Sequence, residues 1–186
     1  MGHHTFDAAR ADRLENAARR YRFVSREELC WAVDADGDET VADLGSGTGF
    51  YTDDLAPLAE TVYAVDVQAA MHDYYREKGL PENVEAVTAD VADLPFPADH
   101  LDVAVSTMTY HEFAGDDARA ELARVVKPGG RLVVADWAAS GTGADGPPVD
   151  ERYALGDAAA AVESAGFTVE FAADRPETFL FVAERD

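Results

Sequence analysis

Short apolar segments alternate with helical segments from Thr40 onward, and this alternation constrains the fold more than any other feature of the chain. Each apolar segment is rich in valine and is bounded by turn-forming residues, as buried strands are. Strands are predicted at 40–44, 61–67, 84–89, 101–106 and 131–137. Helices are predicted between them at 50–59, 68–78 and 116–126. Because a right-handed crossover lays each helix on a sheet face, the order predicts a doubly wound, mostly parallel α/β fold.

The last part of the chain departs from this repeat. After a loop at 138–150 and a helix at 157–165, two strands are predicted at 167–172 and 178–184, with only a turn between them. Strands so close in sequence can pair only in antiparallel fashion. We therefore expect seven strands with one antiparallel, in a single domain spanning 1–186.

Two helices are predicted in the first 32 residues, before the sheet begins. One covers 7–21, and the other follows Ser25 and Glu28, whose S-x-x-E spacing is that of a capping box. We expect residues 1–32 to form a lid or cover over the site, because the loop at 138–150 is too short to close it. Such a lid would bring Phe6, Tyr21 or Phe23 near the reacting groups.

The first strand runs into a Gly-x-Gly-x-Gly turn formed by Gly45, Ser46, Gly47 and Gly49, and a helix follows. Glycines let the backbone turn sharply and approach a ligand closely. The free N–H groups of such a turn suit a carboxylate or a phosphate. Asp43, just before the turn, would repel a pyrophosphate but attract an ammonium or sulfonium group. The pattern favours a zwitterion, such as the aminoacyl end of S-adenosylmethionine, over a dinucleotide.

Acidic residues also stand at the ends of the next two strands. Asp66, followed by Val67, lies 21 residues after Gly45 and can accept hydrogen bonds from both hydroxyls of a ribose. Asp90 can accept from an adenine amino group while Val91 covers the base. Three strand ends in register predict a nucleoside-containing ligand.

Four segments of the chain carry a family resemblance: Val-Ala-Asp-Leu-Gly-Ser-Gly-Thr-Gly, Ala-Val-Asp-Val, Ala-Asp-Val-Ala-Asp-Leu-Pro-Phe and Arg-Val-Val-Lys-Pro-Gly-Gly-Arg-Leu. They resemble class I S-adenosylmethionine-dependent methyltransferases, most closely the small-molecule, ubiquinone/menaquinone-type branch. The resemblance implies a Rossmann-like sheet of order 3-2-1-4-5-7-6 with strand 7 antiparallel. It also implies S-adenosyl-L-methionine as cofactor and S-adenosyl-L-homocysteine as product. In that family's pattern, Asp43 and the turn from Gly45 to Gly49 hold the methionine part, Asp66 the ribose, and Asp90 with Val91 the adenine.

The end of the fourth strand is the predicted place of the chemistry, because ligands of open α/β sheets lie beyond the carboxyl ends of the strands. Ser106 and the segment after it should therefore face the transferable methyl group. His111 is the candidate base, with Tyr110 as a hydrogen-bonding or cation–π partner and Glu112 as an orienting group. Alternatively, His111 and Glu112 cap the turn or the next helix while Tyr110 packs on the cofactor. Trp137, at the end of the fifth strand, is a candidate wall of an acceptor pocket.

The charge balance bears on partners and surroundings. The chain has 37 acidic and 15 basic residues, a net charge of −22, and only two lysines, Lys78 and Lys127. Such a surface repels nucleic acid and anionic membranes, although molar salt would screen the repulsion. Few lysines and many acids are typical of salt-loving archaea, so we expect a halophilic protein. No apolar run reaches a membrane span and no signal-peptide pattern is present, which predicts a cytoplasmic protein.

The remaining residues narrow the function further. Cys30, the single cysteine, excludes an internal disulfide and multi-cysteine metal sites, and it disfavours arsenite as the acceptor. His3 and His4 are more simply solvated than metal-binding, so no metal is predicted. The sequence therefore predicts a methyltransferase acting on a small-molecule acceptor, with nucleic acid unlikely and the oligomeric state open. The alternatives are a non-catalytic S-adenosylmethionine-binding protein and a nicotinamide-dependent oxidoreductase, although the latter would use Gly-x-Gly-x-x-Gly.

Overall fold

A computed structural model describes residues 8–186 of the chain. Its strands are β1 (Thr40–Leu44), β2 (Thr61–Asp66), β3 (Val84–Thr88), β4 (Leu101–Thr107), β5 (Val126–Trp137), β6 (Phe167–Asp174) and β7 (Thr178–Arg185). They form one sheet in the order β3-β2-β1-β4-β5-β7-β6. The first five strands pair in parallel, whereas β7 is antiparallel to both β5 and β6. The predicted strand order and the antiparallel strand are confirmed.

Helices cover both faces of this sheet. They are α1 (Ala17–Phe23), α2 (Arg26–Val33), α3 (Thr52–Leu55), α4 (Ala69–Lys78), α5 (Tyr110–Phe113), α6 (Asp116–Val125) and α7 (Leu155–Glu163). Apolar side chains of α2 and α4 pack on one face of the sheet, and those of α5, α6 and α7 pack on the other. Short 3₁₀ helices lie at Ala8–Glu15, Ala56–Leu58 and Val149–Glu151. Among residues 8–186, no helix combines the length and apolar character needed to cross a bilayer.

The first predicted helix is broken in two. A 3₁₀ helix occupies Ala8–Glu15, and α1 starts only after Asn16, whose side-chain oxygen accepts the N–H of Arg19 at 3.0 Å. Asparagine is among the preferred N-cap residues, so the chain restarts its helix there. Ser25 caps α2 as predicted, accepting the N–H of Glu28 at 3.1 Å. The Glu28 carboxylate does not complete the capping box and instead pairs with Arg175.

Two element boundaries differ from the prediction, and one short helix was not predicted. The helix expected at 50–59 is a single α-helical turn, α3, followed by a 3₁₀ turn that contains Pro57. The fifth strand begins at Val126, but its pairing with β4 jumps from Leu101↔Val126 to Val103↔Arg131. The Lys-Pro-Gly-Gly segment therefore forms an irregularity inside the strand instead of a turn before it. The short helix α5 was not predicted, because four residues carry no periodic signal.

Gly49 holds the glycine turn against α4. It has φ +78°, and a Cβ atom there would lie 2.2 Å from the ring of Tyr75. Tyr75 is fully buried, and its hydroxyl donates to Asp53 at 2.6 Å. Only glycine combines this conformation with this contact, so Gly49 serves packing and faces away from the open side of the turn.

Candidate functional site

A cavity of about 920 Å³ opens at the carboxyl ends of β1 to β4, which is the size of a small-molecule site. Its walls come from the glycine turn, the ends of β2 and β3, the segment after β4, the amino-terminal helices and the loop after β5. Eight of the residues predicted for the site line it: Gly45, Ser46, Gly47, Asp66, Val67, Asp90, Val91 and His111. Four others do not line it: Asp43, Gly49, Ser106 and Tyr110. The fold thus brings three strand ends and the candidate base to one cavity.

Backbone groups of the glycine turn fix the Asp66 carboxylate. The N–H of Gly47 donates to Asp66 Oδ2 at 2.9 Å, and the N–H of Gln68 donates to Oδ1 at 2.8 Å. Each carboxylate oxygen can accept a second hydrogen bond, so both keep capacity for a ligand. A Cβ atom on Gly47 would approach only Leu14, at 3.3 Å, so this part of the turn faces the cavity. The carboxylate is therefore oriented before any ligand arrives.

Polar atoms beside the turn lack partners among residues 8–186. They are Asp43 Oδ1, Ser46 Oγ and Arg20 Nε, and all three atoms are buried. Burial lowers the pKa of Arg20, while Tyr51, Asp43 and Glu15 raise it. Unpaired buried polar atoms are costly, so a ligand that satisfies them gains affinity. An acceptor, a hydroxyl and a guanidinium together fit the ammonium and carboxylate groups of an amino acid, such as the methionine part of S-adenosylmethionine.

Asp43 lies directly beneath the turn. Its Oδ2 accepts a hydrogen bond from Thr52 Oγ1 at 2.6 Å, and the residue is 1% exposed. Burial raises the pKa of Asp43 to about 6, against the lowering effects of Thr52 and Arg20. The negative charge of Asp66 adds to the increase. Asp43 thus supplies negative potential from below the turn while lying outside the cavity wall.

The part of the cavity that is predicted to hold the adenine is more open to solvent. Asp90 is exposed at the cavity edge, and its Oδ1 accepts the N–H of Ala92 at 2.9 Å. Val91 is buried against the core, and Val67 is exposed. Both valines line the cavity on either side of the end of β2.

His111 is held by Asp136, a residue that the sequence reasoning missed. The backbone N–H of His111 donates to Asp136 Oδ2 at 2.6 Å, and its Nδ1 lies 3.0 Å from both carboxylate oxygens. Glu112, the predicted orienting group, comes only within 4.0 Å of Nε2. Asp136 therefore makes the closer contacts with His111, and the orienting role of Glu112 stays a prediction. A signal existed, since Asp136 interrupts an otherwise apolar strand end beside the end of β4.

The charges around His111 raise the pKa of this histidine and lie beside a second titratable group, Glu112. Burial lowers the pKa of His111, but the hydrogen bond and charge of Asp136, with the charges of Glu112 and Glu151, raise it above its ordinary value. Burial raises the pKa of Glu112 to about 7, helped by Asp66 and Asp136 and opposed by His111. Two adjacent groups at the cavity therefore have pKa values suited to general acid–base work.

Ser106 and Tyr110 lie away from the cavity. Ser106 is fully buried within the sheet, and Tyr110, 1% exposed, packs against Phe113, Tyr153 and Phe181. The expectation that these two side chains face the methyl group is not met by this geometry. The reason is that β4 extends one residue further than predicted, so the chain turns into the cavity only at Thr107, Met108 and Thr109.

Two segments far apart in sequence cover the cavity. Residues 144–148 line it, so the loop at 138–150 contributes to the cavity wall together with the amino-terminal helices. Arg19 of α1 forms an ion pair with Asp145 of this loop at 3.1 Å. Phe23 lines the cavity, and its ring centroid lies 4.7 Å from that of Trp137, which lines it as well.

Tyr21, which was also named for the lid, lies outside the cavity wall. The hydroxyl of Tyr21 donates to the Asp54 carboxylate, and Tyr21 does not line the cavity. His3, His4 and Phe6 lie outside the described residues. Within residues 8–186, no group of three or more histidine, cysteine or acidic residues is arranged to hold a metal ion.

Comparisons with known proteins give consistent matches. Residues 42–134 match the family described as a methyltransferase domain. The biotin biosynthesis bifunctional protein of Cellvibrio japonicus is 38% identical over 93 residues, which are 50% of this chain and 18% of that protein. The ubiquinone/menaquinone biosynthesis C-methyltransferase of Ectopseudomonas mendocina is 36% identical over 110 residues, which are 54% of this chain and 43% of that protein. The chain thus spans less than half the length of these two curated relatives.

A solved structure resembles the whole fold. The crystal structure of a SAM dependent methyltransferase from Aquifex aeolicus superposes with a TM-score of 0.88 at 29% sequence identity. The match covers 98% of this chain and 100% of that one.

Asp43→Asn is expected to stabilise the unliganded protein and to weaken cofactor binding. The pKa of Asp43 is about 6 in the fold against an ordinary 3.8, so the folded state holds the proton more tightly than the unfolded state. Stability therefore falls as pH rises through that window, and Asn removes the loss of about 2–3 kcal/mol. Urea unfolding at pH 7.5 and pH 5 should show a gain for Asp43→Asn that shrinks at the lower pH. An Asn variant less stable than wild type at pH 7.5 would contradict this.

Proposed function

This chain belongs to the methyltransferase-domain family, and we propose that it transfers a methyl group from S-adenosylmethionine to a small-molecule acceptor. The observation that carries the proposal is that one cavity is lined by the glycine turn, the Asp66 carboxylate and His111, which the buried Asp136 holds from behind the cavity wall. Family membership decides against the nicotinamide-dependent oxidoreductase. The curated relatives named for ubiquinone/menaquinone and biotin biosynthesis support a small molecule as acceptor over a nucleic acid.

The chain's own residues would bind the cofactor in three groups. The turn from Gly45 to Gly49, with Asp43 beneath it and Arg20 beside it, would hold the methionine part. Asp66 would accept from the ribose hydroxyls, beside Val67. Asp90 and Val91 would hold the adenine. When bound, S-adenosylmethionine supplies a methyl group on a positively charged sulfur.

His111 would act as the general base. A carboxylate can only accept hydrogen bonds, so Asp136 keeps the proton on His111 Nδ1 and leaves Nε2 as the acceptor. An acceptor whose nucleophilic atom carries a proton would pass it to Nε2 as the new bond forms. Asp136 would then stabilise the imidazolium, as it already raises the pKa of His111. The residue Asp136 is a positioning residue in this scheme.

The amino-terminal helices and the loop after β5 would form the cover of this single domain. The Arg19–Asp145 ion pair and the Phe23–Trp137 contact support a closed arrangement. A covered cavity excludes water, which strengthens the electrostatic alignment of the reacting groups. Ser106 and Tyr110 would support this site from within the core, without touching the ligand.

Asp66→Ala is expected to weaken S-adenosylhomocysteine binding by about 1–3 kcal/mol, because it removes the ribose acceptor. Titration calorimetry should give a dissociation constant raised roughly 5- to 150-fold. The control is Asp73→Ala, an exposed carboxylate on α4 whose described partner is Arg76, and its affinity should not change. Unchanged affinity in a folded Asp66→Ala protein would reject the assignment.

Catalysis is tested by release of S-adenosylhomocysteine with a panel of small acceptors in high salt. Release that depends on one acceptor class and is lost in His111→Ala supports the proposal. Cofactor binding without release for every acceptor would favour the alternative, a non-catalytic S-adenosylmethionine-binding protein.

Asp136→Asn is expected to lower the pKa of His111, because it removes a charge and a hydrogen bond that raise it while burial remains. The imidazole resonance of His111, assigned with His111→Gln, can be followed by NMR against pH without any acceptor. Glu112→Gln, the matched control, should lower the pKa by less. An unchanged titration in Asp136→Asn would exclude Asp136 as the positioning residue.

We also propose that the protein is halophilic and that it works in the cytoplasm. With a net charge of −22, the acidic side chains repel one another unless salt screens their charges. The melting temperature is therefore expected to rise between dilute buffer and molar potassium chloride. A melting temperature that stays constant or falls would contradict the halophilic assignment.

A further inference from the structure

The two ends of the cavity differ in charge. Arg20 approaches the glycine turn, and the 3₁₀ helix that carries Arg10 and Arg13 lies over that turn through Leu14. At the other end, the carboxylates of Asp136, Glu112 and Glu151 surround His111. Positive side chains thus lie where a ligand carboxylate is expected, and negative ones lie where the acceptor would enter.

Two of the acids around His111 differ from the solvated surface acids of this chain. Asp136 is 1% exposed and the Glu112 side chain is 18% exposed, whereas Glu151 is an exposed residue that also lines the cavity. A halophilic surface explains exposed carboxylates but not carboxylates placed at such a desolvation cost. We therefore expect the buried carboxylates of this cluster to have a role within the cavity.

Two polar groups at the His111 end of the cavity lack a hydrogen-bond partner among residues 8–186. The His111 side chain is 8% exposed and lines the cavity, yet its Nε2 makes no hydrogen bond to the described residues. The Glu112 carboxylate, 4.0 Å from Nε2, accepts no hydrogen bond within residues 8–186 either. A ligand group with a positive charge and more than one N–H would satisfy both.

The basic side chains outside the glycine-turn end are committed to other partners. Arg19 lines the cavity but is paired with Asp145 at 3.1 Å. Arg119 binds the Ala114 carbonyl and Asp116, and it does not line the cavity. Arg152 lies 5.3 Å from the ring centroid of Trp137 and binds backbone carbonyls of the covering loop. An anionic acceptor beside His111 would therefore meet carboxylates without an unpaired cation among these three arginines.

Resting on the proposed methyl transfer, we propose that the acceptor is an amine with an apolar or aromatic body. It binds as an ammonium ion between Glu112, Glu151 and His111, with its body against Phe23 and Trp137. Aromatic rings beside a cation add attraction to that of the carboxylates. Glu112 and Glu151 are thus the specificity-determining residues of the acceptor end.

The chemistry balances with the groups present. The ammonium gives one proton to His111 Nε2, which leaves a lone pair on nitrogen. That lone pair forms the N–C bond to the methyl carbon, and the C–S bond breaks with its electrons going to sulfur. Positive charge moves from sulfur to nitrogen, so carboxylates around the nitrogen stabilise the transition state more than the ground state.

The test is calorimetry of the full chain saturated with S-adenosylhomocysteine, at a salt concentration where it is folded. The probes are 2-phenylethylamine, 2-phenylethanol, p-cresol and 3-phenylpropionate. We expect the amine to bind at least about tenfold more tightly than the alcohol or the phenol, and the carboxylate to bind most weakly. Glu112→Gln should remove most of this preference without changing affinity for the alcohol, whereas the exposed Glu27→Gln should change neither.

The outcomes separate this inference from the proposed function. Failure of S-adenosylhomocysteine to bind would defeat the proposed function itself. With that ligand bound, equal or tighter binding of the alcohol, the phenol or the carboxylate would overturn the amine assignment, as would binding of none of the four probes. A methylated amine found by mass spectrometry, and lost in His111→Ala, would extend the support from binding to transfer.

Discussion

The site depends on the parallel pairing of β1 with β2. In that register Leu44 lies beside Val65, so the chain leaving β1 meets the end of β2. The N–H groups of Gly45 and Ser46 donate to the Val65 carbonyl, and the N–H of Gly47 donates to Asp66. A shift of one residue would turn Asp66 to the other face and break all three bonds. One pairing thus shapes the glycine turn and orients the carboxylate that faces the cavity.

The strands and the closing antiparallel pair could be predicted because their signals are local, whereas the strand order came from the family resemblance. Each valine-rich strand and its following turn lie within about ten residues, and the closing hairpin admits only one arrangement. The boundaries that failed depend on competing local choices. Asn16 restarts a helix that composition alone would continue, and the Lys-Pro-Gly-Gly segment is absorbed into β5 because pairing with β4 resumes after it. Neither choice can be judged from periodicity.

The residues of the site also divide into those with a local sequence signal and those that depend on distant partners. Strand-end residues such as Asp66 and Asp90 could be found because each belongs to a motif beside its own strand. Asp136 and Arg20 were missed because each acts on a partner more than 20 residues away in sequence, although the break that Asp136 makes in an apolar strand end was a visible signal. Ser106 stays a prediction as a cofactor residue, although it is buried within the sheet and does not line the cavity, because β4 continues through Thr107.

The cover joins segments that are far apart in sequence, and this has a consequence for how the protein is made. Arg19 contacts Asp145 across 126 residues, and Glu28 contacts Arg175 across 147. On the ribosome the helices α1 and α2 emerge well before these partners are synthesised. These helices remain without their partners while the sheet assembles. Until the intervening chain has folded, pairing over such separations carries the entropic cost of closing a long loop. The helices α1 and α2 are thus among the last elements to reach their final position.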